Sequence, residues 1–155
     1  MDNNDILRRL RYTFNLNDNH MMALFDLGMR SASRAEISNW LKREGDEDFV
    51  ELKDMELASF LNGFIIEKRG KQDGPGPVAE AHLSNNLILR KIKIALNLRS
   101  EDIVELFKLA NKSISASEIG AFFRKPSHSK YRDFNGQYMR NFMNGLQAKY
   151  GQSIP

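Results

Sequence analysis

The residues best equipped to do chemistry lie just past position 123. Arg124, Lys125, His128, Lys130 and Arg132 surround Tyr131, with Phe134 close behind. Cations interleaved with aromatic rings suit a nucleic-acid strand, because the cations displace counterions from phosphate while a ring offers a stacking surface to a base. On this reading Arg124, Lys125, Lys130 and Arg132 contact phosphate and Tyr131 is the stacking platform, with His128 beside them. A second basic pattern occurs twice, as Arg8-Arg9-x-Arg11 and Arg90-Lys91-x-Lys93. Arg8, Arg11, Arg90 and Lys93 then form either a solvated helix face or a further phosphate-contacting strip.

Other chemistries find no residues in a suitable pattern. The absence of Cys excludes a disulfide scaffold, a thiolate metal site, an iron–sulfur cluster and a thiol nucleophile. His20, His82 and His128 stand on separate segments, none with a His at i+4 or a carboxylate cluster at ligand spacing, so neither a metal nor another cofactor is expected. No Gly-x-Ser-x-Gly surrounds a nucleophile. Gly70-Lys71-Gln72 follows a helical pattern instead of opening one and lacks the Ser/Thr of a phosphate loop. The expectation is a binding or regulatory module and not an enzyme.

The elements that position these residues come from a duplication. The 155 residues, 41% apolar, amount to about one domain of ordinary size. Residues 3–64 nevertheless align without a gap on residues 85–146, with about 17 identities over 62 positions. Asn3-Asn4 answers Asn85-Asn86, Leu24-Phe25 answers Leu106-Phe107, Ser33-x-x-Glu36-Ile37 answers Ser115-x-x-Glu118-Ile119, and Phe60-x-Asn62-Gly63 answers Phe142-x-Asn144-Gly145. Between the copies runs Gly70-Lys71-Gln72-Asp73-Gly74-Pro75-Gly76-Pro77, in which Pro lacks the backbone donor and Gly carries the largest ordering cost. The expected organisation is a repeat over 1–69, a linker over 70–82 and a second repeat over 83–151.

Within each copy the apolar period is helical. Ile6, Leu7, Leu10 and Phe14 share one stripe; Met21, Leu24, Phe25 and Gly28 a second; Ile37, Trp40 and Leu41 a third; Leu57, Phe60, Leu61 and Phe64 a fourth. Ser33-x-x-Glu36 and Ser115-x-x-Glu118 read as capping boxes, and Asp18 and Ser100 as caps of the second helices. No stretch alternates long enough for a strand. The fold class is all-α, a tandem duplication of a roughly four-helix unit. A unit of this size buries only about 60% of its unfolded surface by itself, so the copies are expected to pack together about an approximate twofold. The polar start at Met1-Asp2-Asn3-Asn4-Asp5 and the lack of a long apolar run point to a cytoplasmic chain with no membrane association.

The blocks Ile6-Leu7-Arg8-Arg9-Leu10-Arg11-Tyr12, Glu36-Ile37-Ser38-Asn39-Trp40-Leu41, Phe60-Leu61-Asn62-Gly63, Arg124-Lys125-Pro126 and Arg140-Asn141-Phe142 resemble the YehS family of small bacterial proteins. The resemblance covers nearly the whole chain. It implies a tandem helical domain and carries over no catalytic residues.

Charge divides the copies. Residues 1–75 hold 11 Lys and Arg against 14 Asp and Glu, whereas residues 76–155 hold 12 against 6. The contrast peaks in one segment: residues 42–51 carry a net −3 and their equivalents, 124–133, a net +3. Three readings follow: drift of a solvated loop, phosphate binding by the basic copy, or self-association of acidic with basic loops in a homo-oligomer or with a protein partner. The second and third helices of each copy, joined near residues 28–31 and 110–113, also fit a weak helix-turn-helix pattern, with Arg34, Ser38, Asn39 and Lys42 as base readers.

Overall fold

Six of the eight helices among the described residues begin at a residue whose side chain accepts from one of the backbone donors that the first turn leaves unpaired. The computed structural model of the chain describes residues 1–151. Among them are eight helices: α1 (Asn3–Thr13), α2 (Asp18–Leu27), α3 (Arg34–Leu41), α4 (Asp54–Arg69), α5 (Asn85–Leu96), α6 (Ser100–Leu109), α7 (Ala116–Phe122) and α8 (Gly136–Tyr150). They fall into two compact units, the first Met1–Leu83 and the second from Ser84 onward. The Gly/Pro-rich segment therefore groups with the first unit. It is fastened there by Asp54, whose carboxylate accepts from the Leu83 N–H at 2.9 Å. Among the described residues no helix is long and apolar enough to cross a membrane.

Both expected capping boxes are present. Ser33 Oγ accepts from the Glu36 N–H at 3.1 Å while Glu36 accepts from the Ser33 N–H at 3.0 Å, and Ser115 and Glu118 repeat the exchange at 3.1 and 3.2 Å. Both glutamates are held below the ordinary carboxylate range. For Glu118 the largest cause is the Ser115 N–H; for Glu36 it is the Arg30 guanidinium. The caps of the second helices differ from the sequence expectation. Asn17, not Asp18, caps α2, its Oδ1 accepting from the His20 N–H at 2.8 Å. Arg99, not Ser100, precedes α6, and Asp102 reaches back to the Arg99 N–H at 2.7 Å. Asp18 and Ser100 lie one position inside. There a carboxylate at residue 18 still complements the helix dipole, whereas α6 starts without a side-chain cap bond from the residue before it.

The four stripes converge on one core per unit. Leu7, Leu24, Phe25 and Leu61 are fully buried in the first, Leu89, Leu106, Met139 and Phe142 in the second. In each unit the second helix packs on the fourth, α2 on α4 and α6 on α8. The approach is so close that a Cβ on Gly63 would lie 1.8 Å from the Leu24 carbonyl oxygen, and one on Gly145 would lie 2.1 Å from that of Leu106. A methyl group at either position forces two helix backbones apart.

Gly145→Ala and Gly63→Ala are each expected to destabilise the unit that carries them by about 1–3 kcal/mol, the range for overpacking a filled core. Gly120→Ala in α7, where a Cβ would meet nothing within 4 Å, is expected to be neutral or stabilising by about 0.5–1 kcal/mol. Denaturant unfolding of the three variants checks the contrast.

Candidate nucleic-acid interface

The basic loop, residues 123–135, connects α7 to α8 and owes its shape to backbone bonds. His128 N–H donates to the Lys125 carbonyl at 2.8 Å, Tyr131 N–H to that of His128 at 3.0 Å, and Arg132 N–H to that of Ala121 at 3.2 Å. The acidic loop repeats each bond 82 positions earlier: Asp46 to Arg43, Phe49 to Asp46 and Val50 to Asn39, at 3.0, 3.1 and 3.2 Å. One asparagine on the first helix of each unit locks the loop down. Asn86 Nδ2 donates to the Phe122 and Arg132 carbonyls at 3.0 and 2.8 Å, and its Oδ1 accepts from the Phe134 N–H at 2.9 Å. Asn4, 1% exposed, makes the same three bonds to Trp40, Val50 and Leu52, each at 2.9 Å. The repeated asparagine was visible in the sequence as an identity between the copies, but its role depends on a loop nearly fifty residues away.

On this shared frame the side chains diverge. Arg124, Lys125, His128 and Lys130 are exposed. Among the described residues, no carboxylate lies within ion-pair distance of Arg124, Lys125 or Lys130. His128 is turned into the loop, its Nδ1 accepting from the Lys130 N–H at 2.9 Å. Three residues depart from the sequence expectation. Arg132 is engaged, pairing with Glu118 at 3.3 Å and lying 5.4 Å above the Tyr138 ring. Tyr131 is half-buried, its hydroxyl pKa pushed up by burial and by the neighbouring Asp133, so part of the ring is covered. Phe134 belongs to the core at 1% exposure, its ring 4.9 Å from Phe122 and 5.8 Å from Tyr138, because the Asn86 bond to its N–H turns the chain inward.

The second basic pattern divides in the same way. Arg8 is not a solvated cation: its Nη1 donates to the Lys42 carbonyl at 2.6 Å and its other nitrogen pairs with Asp5. Arg90 does the equivalent work in the second unit, donating to the Phe123 carbonyl at 2.9 Å. Both satisfy the carbonyl end of a short helix, α3 or α7, where a cation also complements the dipole. Arg11 is half-buried along α1, and Lys93 lies 5.5 Å over the Phe123 ring. Since Arg90 and Lys93 both contact Phe123, the α5 cations adjoin the start of the basic loop.

The proposed base readers of the first unit are largely occupied. Arg34 bonds Asn19 at 2.8 Å and pairs with Asp18 at 3.6 Å, and Lys42 bonds Asn39 and pairs with Asp48 at 3.2 and 3.3 Å. Ser38 alone of the four is exposed with no such partner among the described residues. The acidic loop instead walls a polar cleft of about 350 Å³ with Asp2, Glu44 and Glu51. Among the described residues no group of three or more His, Asp or Glu is placed to hold a metal ion.

Comparison with known proteins agrees with the division into units. The model of a family described as a protein of unknown function, DUF1456, matches residues 3–70 and again 85–151. The chain belongs to this family. The uncharacterized protein YehS of Escherichia coli (strain K12) is 38% identical over 150 residues, which are 96% of each chain. No solved structure matches. Each stretch matched by the family model runs from the asparagine-bearing helix to the end of the fourth, so the family's unit is the one that the asparagine organises.

Asn86→Ala leaves two carbonyls and one N–H without partners, and a loss of about 2–3 kcal/mol is expected from groups of this kind. Hydrogen exchange at the Phe134 amide should accelerate at least tenfold, with the Leu52 amide of the first unit unchanged as the internal control.

Proposed function

We propose that the protein is a non-enzymatic binding module whose second unit takes the sugar-phosphate backbone of nucleic acid, with Arg124, Lys125 and Lys130 as the principal contacts and Arg90 and Lys93 flanking them. The observation that carries this reading is the inversion of charge on a conserved frame. Two loops with the same turn bonds and the same asparagine anchor carry −3 and +3, and the basic one leaves three cations without carboxylate partners among the described residues. Lysine and arginine held on a rigid loop are suited to phosphate, because each contact releases condensed counterions without ordering a mobile segment. Partial burial of Tyr131 shifts the expected weight from base stacking to phosphate contact, hence toward binding with little sequence preference. The two-unit architecture does not itself specify a ligand; the charge and its placement are what support this reading.

With three to five phosphates neutralised, the log of the affinity for a single-stranded oligonucleotide should fall with the log of salt at a slope of about −2 to −3.5. Arg124→Glu with Lys130→Glu should weaken binding at least tenfold and flatten the slope by about 1–2. A flat slope, or undiminished binding by that double variant, overturns the reading. Sedimentation of the protein alone at low and high salt examines the other partner class: a mass that falls as salt rises would assign the basic loop to the acidic loop of a second copy and not to phosphate.

A further inference from the structure

The first unit contains a cleft that its sister unit does not reproduce in sequence. Its floor is formed where α2 meets α4, at Gly28 and Ser59, with Met29 and Met55 along the helical side and residues 75–79 of the Gly/Pro-rich segment opposite. The cleft measures about 500 Å³, within the range of small-molecule sites. Three features separate it from an ordinary surface fold.

Exposed methionine is concentrated there. Met29 and Met55 are 75% and 51% exposed, against full burial of Met21, Met139 and Met143. The duplication supplies an internal comparison, since the equivalents of Met29 and Met55 in the second unit are Asn111 and Gln137. The same backbone thus accommodates polar residues where the first unit keeps thioethers. Met29 also occupies a left-handed conformation, φ +68°, which suits Asn111 at φ +61° but is unfavourable for methionine. A disfavoured residue held at an exposed position marks a site where the side chain itself is wanted.

The strap is fitted to these methionines. A Cβ on Gly76 would come within 3.0 Å of Met29 Sδ, so the smallest residue stands where the thioether approaches. The thioether is flexible and polarisable, which allows such a wall to adapt to differently shaped apolar groups.

The two charged residues that line one end, Arg30 and Glu56, pair with each other. Arg30 Nη2 lies 2.9 Å from both Glu36 Oε2 and Glu56 Oε2, and its guanidinium rests 5.4 Å over the Trp40 ring. Glu56 spends its other oxygen on the Lys53 N–H at 3.0 Å. Within the lining the two charges offset each other, and the surplus negative charge of the trio sits on Glu36, outside the lining. We infer that this cleft binds a small, uncharged, predominantly apolar molecule, seated between Met29 and Met55 on one side and the strap on the other.

Titration of the full chain with the neutral fluorophore N-phenyl-1-naphthylamine, combined with spectra of the carbon-13-labelled methionine methyls, tests this. The expected result is saturable binding of one probe per chain, with the Met29 and Met55 methyl resonances shifting while those of Met21, Met139 and Met143 stay in place. Met29→Asn with Met55→Gln, which installs residues the second unit already carries on this backbone, should weaken binding at least tenfold. Absence of saturable binding, as when the strap itself fills the cleft in solution, overturns the inference. So do shifts confined to other methionines, or undiminished affinity in the double variant. Should that variant fail to fold, Val78→Asp places a charge on the strap at a residue 85% exposed and should reduce affinity in the same way, with retained affinity counting against the site.

Discussion

An amide taken out of water has to find hydrogen-bond partners or cost the fold their absence, and in each unit one asparagine side chain, buried at Asn4 and half-buried at Asn86, meets that demand entirely with backbone. Asn4 and Asn86 join the end of the third helix, the far side of the following loop and the entry to the fourth helix. Because these three bonds go to main-chain groups, and the turn bonds shared by the two loops do as well, the loop's path rests chiefly on backbone, with a single side-chain bond of its own to backbone in each copy, Asp46 to the Arg43 N–H and His128 to the Lys130 N–H. Charges there can change sign without altering the frame. That freedom separates shape from electrostatics and lets one duplicated unit present an acidic surface and the other a basic one.

Interior positions show the opposite behaviour, in which changes are compensated locally. Leu52 in the first unit corresponds to Phe134 in the second, and Trp40 corresponds to Phe122, so bulk removed on one wall is restored on the facing one. The surface pairing of the third helix is rebuilt from different residues. Glu36 is met by Arg30 lying over Trp40, whereas its counterpart Glu118 is met by Arg132 lying over Tyr138. The aromatic-backed guanidinium survives although neither arginine matches the other in the alignment. What does not vary is the glycine of the fourth helix, Gly63 or Gly145, since a carbonyl from the facing helix occupies the space of its side chain.

These differences explain what could be read from the sequence. Helical period, the duplication and the Ser33 and Ser115 boxes depend on residues within a few positions of one another, and all were legible. Three of the basic-loop cations, Arg124, Lys125 and Lys130, stand exposed. Arg132 and Phe134 were misplaced because their environment is set by Glu118, Tyr138 and Asn86, residues brought together only by folding. Arg8 read as part of a solvated face or a phosphate-contacting strip because helical period assigns a face and cannot show that the Lys42 carbonyl at the end of α3 lies within reach. The methionine cleft was missed for a related reason: Met29 was legible only as part of the turn between the second and third helices, and its approach to residues 75–79 exists only once the chain is folded.

Replacing residues 125–133 with the sequence of residues 43–51, in the otherwise unaltered chain, puts the acidic side chains on the frame held by Asn86. If the asparagine and the turn bonds alone fix the loop, the unfolding free energy of the transplanted protein stays within about 1 kcal/mol of the parent, as for substitutions away from structural features. A loss of about 3 kcal/mol or more, comparable to breaking the clamp itself, would mean that the loop side chains define the fold and would contradict the account.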